Sequence, residues 1–164
     1  DLIAQKKIGG NKLSTAAERL ATFCSRVNEY ITCKNLGVSK FNLEWALAET
    51  FDLATIGCLT QQECFDHGFM LYQLADHVGQ ERAEQENVAR WCESNLNSIL
   101  TQEMDSQAIA KHEVKVARVL LENDLAAKID EWKQHAQARL AKLTNREYNI
   151  RRKADILIEK GKRK

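Results

Sequence analysis

A chain of 164 residues with 24 Lys or Arg, 23 Asp or Glu and a net charge of +1 has room for one domain or one long helical assembly. It contains no proline and only seven glycines, so little interrupts a helix once it has started, and no alternating β-branched run argues for a sheet. Its longest apolar runs are far short of the roughly 20 residues that cross a bilayer, and five scattered cysteines do not make a disulfide framework, so a protein of the reducing cytosol is expected.

In chain order, residues 1–12 read as a flexible leader, with Asp1 where an initiator Met would stand, as expected of a fragment or processed form. Residues 13–164 read as a single elongated helical domain. Thr15-Ala-Ala-Glu18 is a capping box for a first helix over about 15–34, striped by Leu20, Cys24, Val27 and Ile31 and stopped at Asn35-Leu36-Gly37. A second helix is expected over about 41–56, with Leu43, Leu47, Phe51 and Ala54 on one face. Thr60-Gln-Gln-Glu63 caps a third over about 60–100, whose apolar positions are interrupted by a polar span from Gln80 to Asn87.

A fourth helix, about 105–160, carries the clearest seam. Val114, Ala117, Leu121, Leu125, Ile129, Trp132, Ala136, Leu140 and Leu143 recur with a mean step near 3.6 and continue through Ile150, Ala154 and Leu157. A helix of that extent would be roughly 80 Å long. No single compact core covers such a stripe, so the expected fold is all-α: an elongated antiparallel bundle of long helices, coiled-coil-like and dimeric, with Val114, Leu121, Leu125, Ile129, Trp132, Leu140 and Leu143 as packing or dimer seam.

Signals for chemistry are sparse. Cys64 and His67 lie three apart with Cys58 nearby, but a zinc site needs a fourth ligand that the spacing does not supply, so no metal, cofactor or catalytic residue is expected. Trp45, Trp91 and Trp132 fall in helical register beside apolar neighbours and read as packing residues, and His112 and His135 as solvated.

Charge is distributed unevenly. From Arg139 to Lys164 ten Lys or Arg stand against three acids, +7, which leaves −6 for the rest of the chain. The C-terminal end therefore calls for an anionic partner: a membrane surface, an acidic protein segment or, with Tyr148 the only aromatic among the cations and so less support, nucleic acid.

The segment Lys111-His-Glu-Val-Lys-Val-Ala-Arg-Val-Leu-Leu-Glu-Asn-Asp-Leu-Ala-Ala-Lys128 resembles the second helix of the BAR superfamily, with Arg118, Leu120 or Leu121, Asp124 and Lys128 in the recurring basic, leucine and aspartate places. Leu74-Ala75, Val88, Leu96 and Ile99 are similar to that family's first helix, ahead of a turn around Thr101 to Asp105. The family's third long helix would follow where this chain ends. The resemblance implies a crescent-shaped homodimer that binds anionic membranes without catalysis. It also implies a cationic tip of Arg146, Arg151, Arg152, Lys153, Lys160, Lys162, Arg163 and Lys164. Peripheral membrane location in the cytoplasm is the matching expectation.

Overall fold

The computed structural model describes residues 16–34, 37–104 and 110–164; the expected leader, the Thr15 cap, the Asn35-Leu36 stop and the turn at Asp105 lie wholly or partly outside them. The described chain is all-α, with no strand among the described residues. It comprises α1 (Ala16–Cys33), a 3₁₀ helix (Leu43–Thr50), α2 (Leu53–Cys58), α3 (Gln61–Met104), α4 (His112–Glu122) and α5 (Asp124–Lys162).

The framework is the pair α3 and α5, of 44 and 39 residues. At about 1.5 Å per residue α3 is roughly 65 Å long. The two run antiparallel, since later residues of α3 meet earlier residues of α5: Gly161 lies against Cys64 and Phe65, Ile158 against Gly68, Arg151 pairs with Asp76, and Glu147 with Arg82. Their buried positions keep a seven-residue repeat. On α5 Ala126, Ile129, Ala136, Leu143, Ile150, Ala154, Leu157 and Gly161 follow at steps of 3, 7, 7, 7, 4, 3 and 4. On α3 Cys64, Gly68, Leu71, Ala75 and Val78 step by 4, 3, 4 and 3, and the row resumes at Ala89, Cys92 and Leu96.

This repeat is tighter than the 3.6-residue mean expected from sequence, because the buried row runs through Ala126 and leaves Leu125, Trp132 and Leu140 of the expected seam only partly covered. The chain breaks at Asn123, whose backbone is extended (φ −114°, ψ 102°). Its N–H closes α4 on the Val119 carbonyl, while its side-chain oxygen accepts from the Ala126 N–H and opens α5. The single helix expected over 105–160 is thus two helices.

The helix expected over 41–56 is also divided. Asn42 caps a 3₁₀ helix by accepting from the Glu44 N–H, and Asp52 caps α2 by accepting from the Thr55 N–H at 2.7 Å. Asp52 is an extended residue that an α-helix running from 41 to 56 would have to take into its interior. The Thr60–Glu63 capping box of α3 forms as read, with the Glu63 carboxylate accepting from the Thr60 N–H and Thr60 Oγ accepting from the Glu63 N–H.

Two cores result. One joins Ala48 of the 3₁₀ helix and Ile56 of α2 to Leu71, Leu74, Ala75 and Val78 of α3 and Ile150, Ala154 and Leu157 of α5. The other joins Cys92 and Leu96 of α3 to Val119 of α4 and Ala126 and Ile129 of α5. Between them, at the polar span of α3, the repeat carries Arg82 and Gln85 in place of apolar residues. Arg82 pairs there with Glu147 of α5 at 2.9 Å, and Gly79 leaves room for that carboxylate, which would lie 3.3 Å from any Cβ.

Candidate functional site

The cations expected to form a docking tip divide into two groups. Arg146 makes a bidentate contact with Glu49 of the 3₁₀ helix, Nε to Oε1 and Nη2 to Oε2, both at 2.9 Å. Arg151 bridges Asp76 and Glu147 at 3.0 and 3.2 Å. Lys153 donates to the carbonyls of Glu49 and Phe51, at the end of the 3₁₀ helix. These three are fasteners that hold the 3₁₀ helix and α3 against α5. The Arg146 guanidinium, by donating to Glu49, holds that carboxyl below its ordinary range, against the opposing effect of partial burial.

The remaining five lie at the outer end of α5. Arg152 donates to the Tyr148 hydroxyl, Lys162 pairs with Glu159 at 2.9 Å, and Lys164 donates to the Gly57 carbonyl at 3.3 Å. Arg152, Lys160, Arg163 and Lys164 line an open groove together with Ile156, Asp155 and Glu159. Ile156 also lines an adjoining hollow with Phe51, Leu53 and Ile56, so aliphatic and cationic surface is continuous from α2 to the end of α5. Leu53 is 78% exposed. Two acids of α3, Glu63 and Asp66, sit at the same end of the pair and dilute its charge.

The sequence held a signal that accounts for the fasteners. Between Glu44 and Glu103 there are eleven Asp or Glu and only two Lys or Arg, Arg82 and Arg90, whereas from Lys133 to Lys164 there are eleven Lys or Arg and three acids. The basic helix lies along an acidic one. Much of the anionic partner that the C-terminal charge calls for is supplied by the 3₁₀ helix and α3 of the same chain.

The seam residues are also divided. Ile129 and Leu143 are buried, Leu125 and Leu140 half-buried, and Trp132 is 38% exposed. Val114 and Leu121 face outward on α4, 48% and 86% exposed. Of the tryptophans, Trp45 packs against the first core, while Trp91 lies against Phe23 of α1, which meets Trp132 edge to face. His112 and His135 are exposed. Cys64 is fully buried and Cys58 exposed, and among the described residues no group of three His, Cys, Asp or Glu is placed to hold a metal.

A polar contact that the sequence did not advertise fixes the segment before the 3₁₀ helix. His77, 7% exposed on α3, lies 3.2 Å from Ser39 Oγ through Nδ1 and 3.8 Å from Glu81 through Nε2, between the rings of Phe41 and Trp45. The Ser39 N–H donates to Gln80 Oε1 at 2.7 Å. No helix among the described residues is long and apolar enough to cross a membrane. No family model, curated protein or solved structure matches the chain.

Proposed function

We propose that the chain is a helical interaction module, without chemistry of its own, that docks an anionic membrane surface through the outer end of α5. The observation that carries this reading is the continuous strip of Ile156 and exposed Leu53 beside Arg152, Lys160 and Arg163. Aliphatic side chains flush with cations suit the boundary between headgroups and acyl chains. Each basic group near anionic lipid contributes about 1 kcal/mol, so these three support reversible attachment only. The coiled-coil-like pair of α3 and α5 serves as a stiff carrier of this end, within the homodimer that the BAR-like pattern implies, at the cytoplasmic face of a membrane.

A second reading is favoured by one specific observation: Arg146, Arg151 and Lys153 are already paired within the chain. A protein partner needs less uncompensated charge than a lipid surface does, so a protein–protein interaction module is the alternative.

Co-sedimentation with vesicles separates the two. The informative variant is Arg152→Glu with Lys160→Glu and Arg163→Glu, because Glu at 151 or 153 would unfasten the 3₁₀ helix and α3 and confound binding with stability. Pelleting with phosphatidylserine vesicles but not with phosphatidylcholine vesicles, reduced by salt and by the triple variant, supports membrane docking. A chain that stays in the supernatant with both vesicle types refutes it and leaves the protein-partner reading.

A further inference from the structure

Among the described residues, two surfaces are left uncovered at the half of the molecule away from the cationic strip. One is a cleft of about 410 Å³ between α1 and α3, walled by Val27, Tyr30 and Ile31 on α1 and by Val88 and Trp91 on α3, with the Arg26 guanidinium among its walls. α1 forms one wall of this cleft, and the side-chain hydrogen bonds of Thr22, Ser25 and Thr32 return to α1 itself. The other surface is the outer face of α4, where Val114, Ala117 and Leu121 occupy positions i, i+3 and i+7, a spacing that aligns them in one row. Leu121 is 86% exposed, more than any other large apolar side chain described; exposed Glu113 flanks one side of the row, and Glu122 the other side together with Arg118 and Lys115.

α4 cannot turn this row into its own chain's cleft. Its opposite face carries Val119, fully buried against Cys92, Leu96, Ala126 and Ile129, and rotating α4 would extract it. Yet the row and the cleft are neighbours, since Val88 and Trp91 pack on the same core as Val119. A row and a cleft that cannot meet within one chain can each meet its counterpart on a second copy across a two-fold axis, which makes the contact twice. We infer that the cleft receives α4 of a second copy of this chain, Val114, Ala117 and Leu121 entering between α1 and α3 while Glu113, on the edge of the row away from Arg118 and Lys115, meets Arg26. Each contact is then an apolar helix face in a groove with opposite charges at its edge. This inference rests on the interaction-module reading but shares no residue with the Arg152–Lys160–Arg163 strip, so lipid binding and self-association fail or succeed separately.

The test is sedimentation velocity on the full chain over a wide range of concentration, with helicity checked by circular dichroism. The wild type is expected to dimerise. Leu121→Glu is expected to raise the dimer dissociation constant by about a hundredfold at unchanged helicity, because two-fold symmetry removes the side chain from the interface twice. Arg26→Glu should weaken the dimer, and joining it with Glu113→Lys in one chain should restore much of the loss. Val114→Glu is a second probe of the same row. A wild type that remains monomeric throughout overturns the inference. So does a dimer that Leu121→Glu and Val114→Glu leave intact and Leu53→Glu, at the opposite end, disrupts.

Discussion

The half of the helix pair that carries α2 and the 3₁₀ helix is closed by glycine contacts, buried aliphatics and ion pairs across the helices, whereas the half that carries α1 and α4 is closed by two aromatic contacts and a smaller core. In the first half α3 and α5 approach so closely that a Cβ on Gly161 would lie 2.9 Å from a Phe65 ring carbon, and six of the core residues there are 0% exposed. In the second half the chain breaks at Asn123, clefts open along both sides of α1, and Leu121 points into solvent. The difference teaches that one continuous helix pair can hold a self-sufficient core at one end and a core that still offers surface at the other.

The largest expected effect sharpens that contrast. Leu157 is fully buried in the first core, and Leu157→Ala should cost about 2–5 kcal/mol through lost burial and an incompletely collapsed cavity. Leu121→Ala, measured at a dilution where any dimer has dissociated, should change stability by less than about 0.5 kcal/mol. Urea denaturation of both variants measures the ratio. Comparable losses would mean that α4 is packed on both faces and that the two halves do not differ as described.

Next come the glycines. Gly161→Ala places a Cβ 2.9 Å from Phe65 Cε1 and 3.2 Å from Cys64 Cβ, on a helix that cannot withdraw without parting from its core, and should cost about 1–3 kcal/mol. Gly68→Ala meets Ile158 Cδ1 at 2.7 Å and Cγ1 at 3.0 Å, both atoms of one side chain whose tip can turn away about χ2 while Cγ1 gives by a few tenths of an ångström. There the gain in helix propensity, about 1 kcal/mol, should offset most of the repacking and leave stability nearly unchanged. Thermal unfolding of the two variants side by side checks the order; a reversed order would place the rigid contact at Ile158 instead of Phe65.

How much of this was legible in sequence follows from what each feature depends on. The long helices could be read from apolar spacing, as at Val78, Ile150, Ala154 and Leu157, because burial selects apolar residues wherever they fall on one face, but such spacing does not say which residues of α3 meet which of α5. The break at Asn123 could not, because Leu121 and Leu125 stand four apart on either side of it and keep the apparent stripe intact. What breaks the helix there is a side chain serving two partners at once, the Ala126 N–H and the distant Glu103 carboxylate. The division of the 41–56 segment was more accessible, since Asp52 three residues before Thr55 is an N-cap pattern in the middle of the expected helix. For the cationic set, the sequence identified the charges but not their use. Arg146 and Glu49 are 97 positions apart, and no local pattern distinguishes a cation that fastens a helix from one that waits for a ligand.

The Arg146–Glu49 pair supplies the last effect, of about the size of a single surface contact, and the one that pH resolves. Its geometry is bidentate, but both side chains keep about a third of their surface in water, so screening reduces its contribution to about 1 kcal/mol. Because the folded-state pKa of Glu49 is depressed, that stabilisation is complete above the ordinary glutamate range and is lost as pH falls through the folded value, where the native carboxylate at last takes up a proton. Glu49→Gln should therefore be less stable than the wild type by about 1 kcal/mol at neutral pH, and the two stability curves should converge on acidification. Urea titrations at a series of pH values follow the gap. Curves that stay parallel to the lowest pH would show that the ion pair contributes nothing through its charge, and that the 3₁₀ helix is held on α5 by Lys153 and the packing of Trp45 and Ala48 alone.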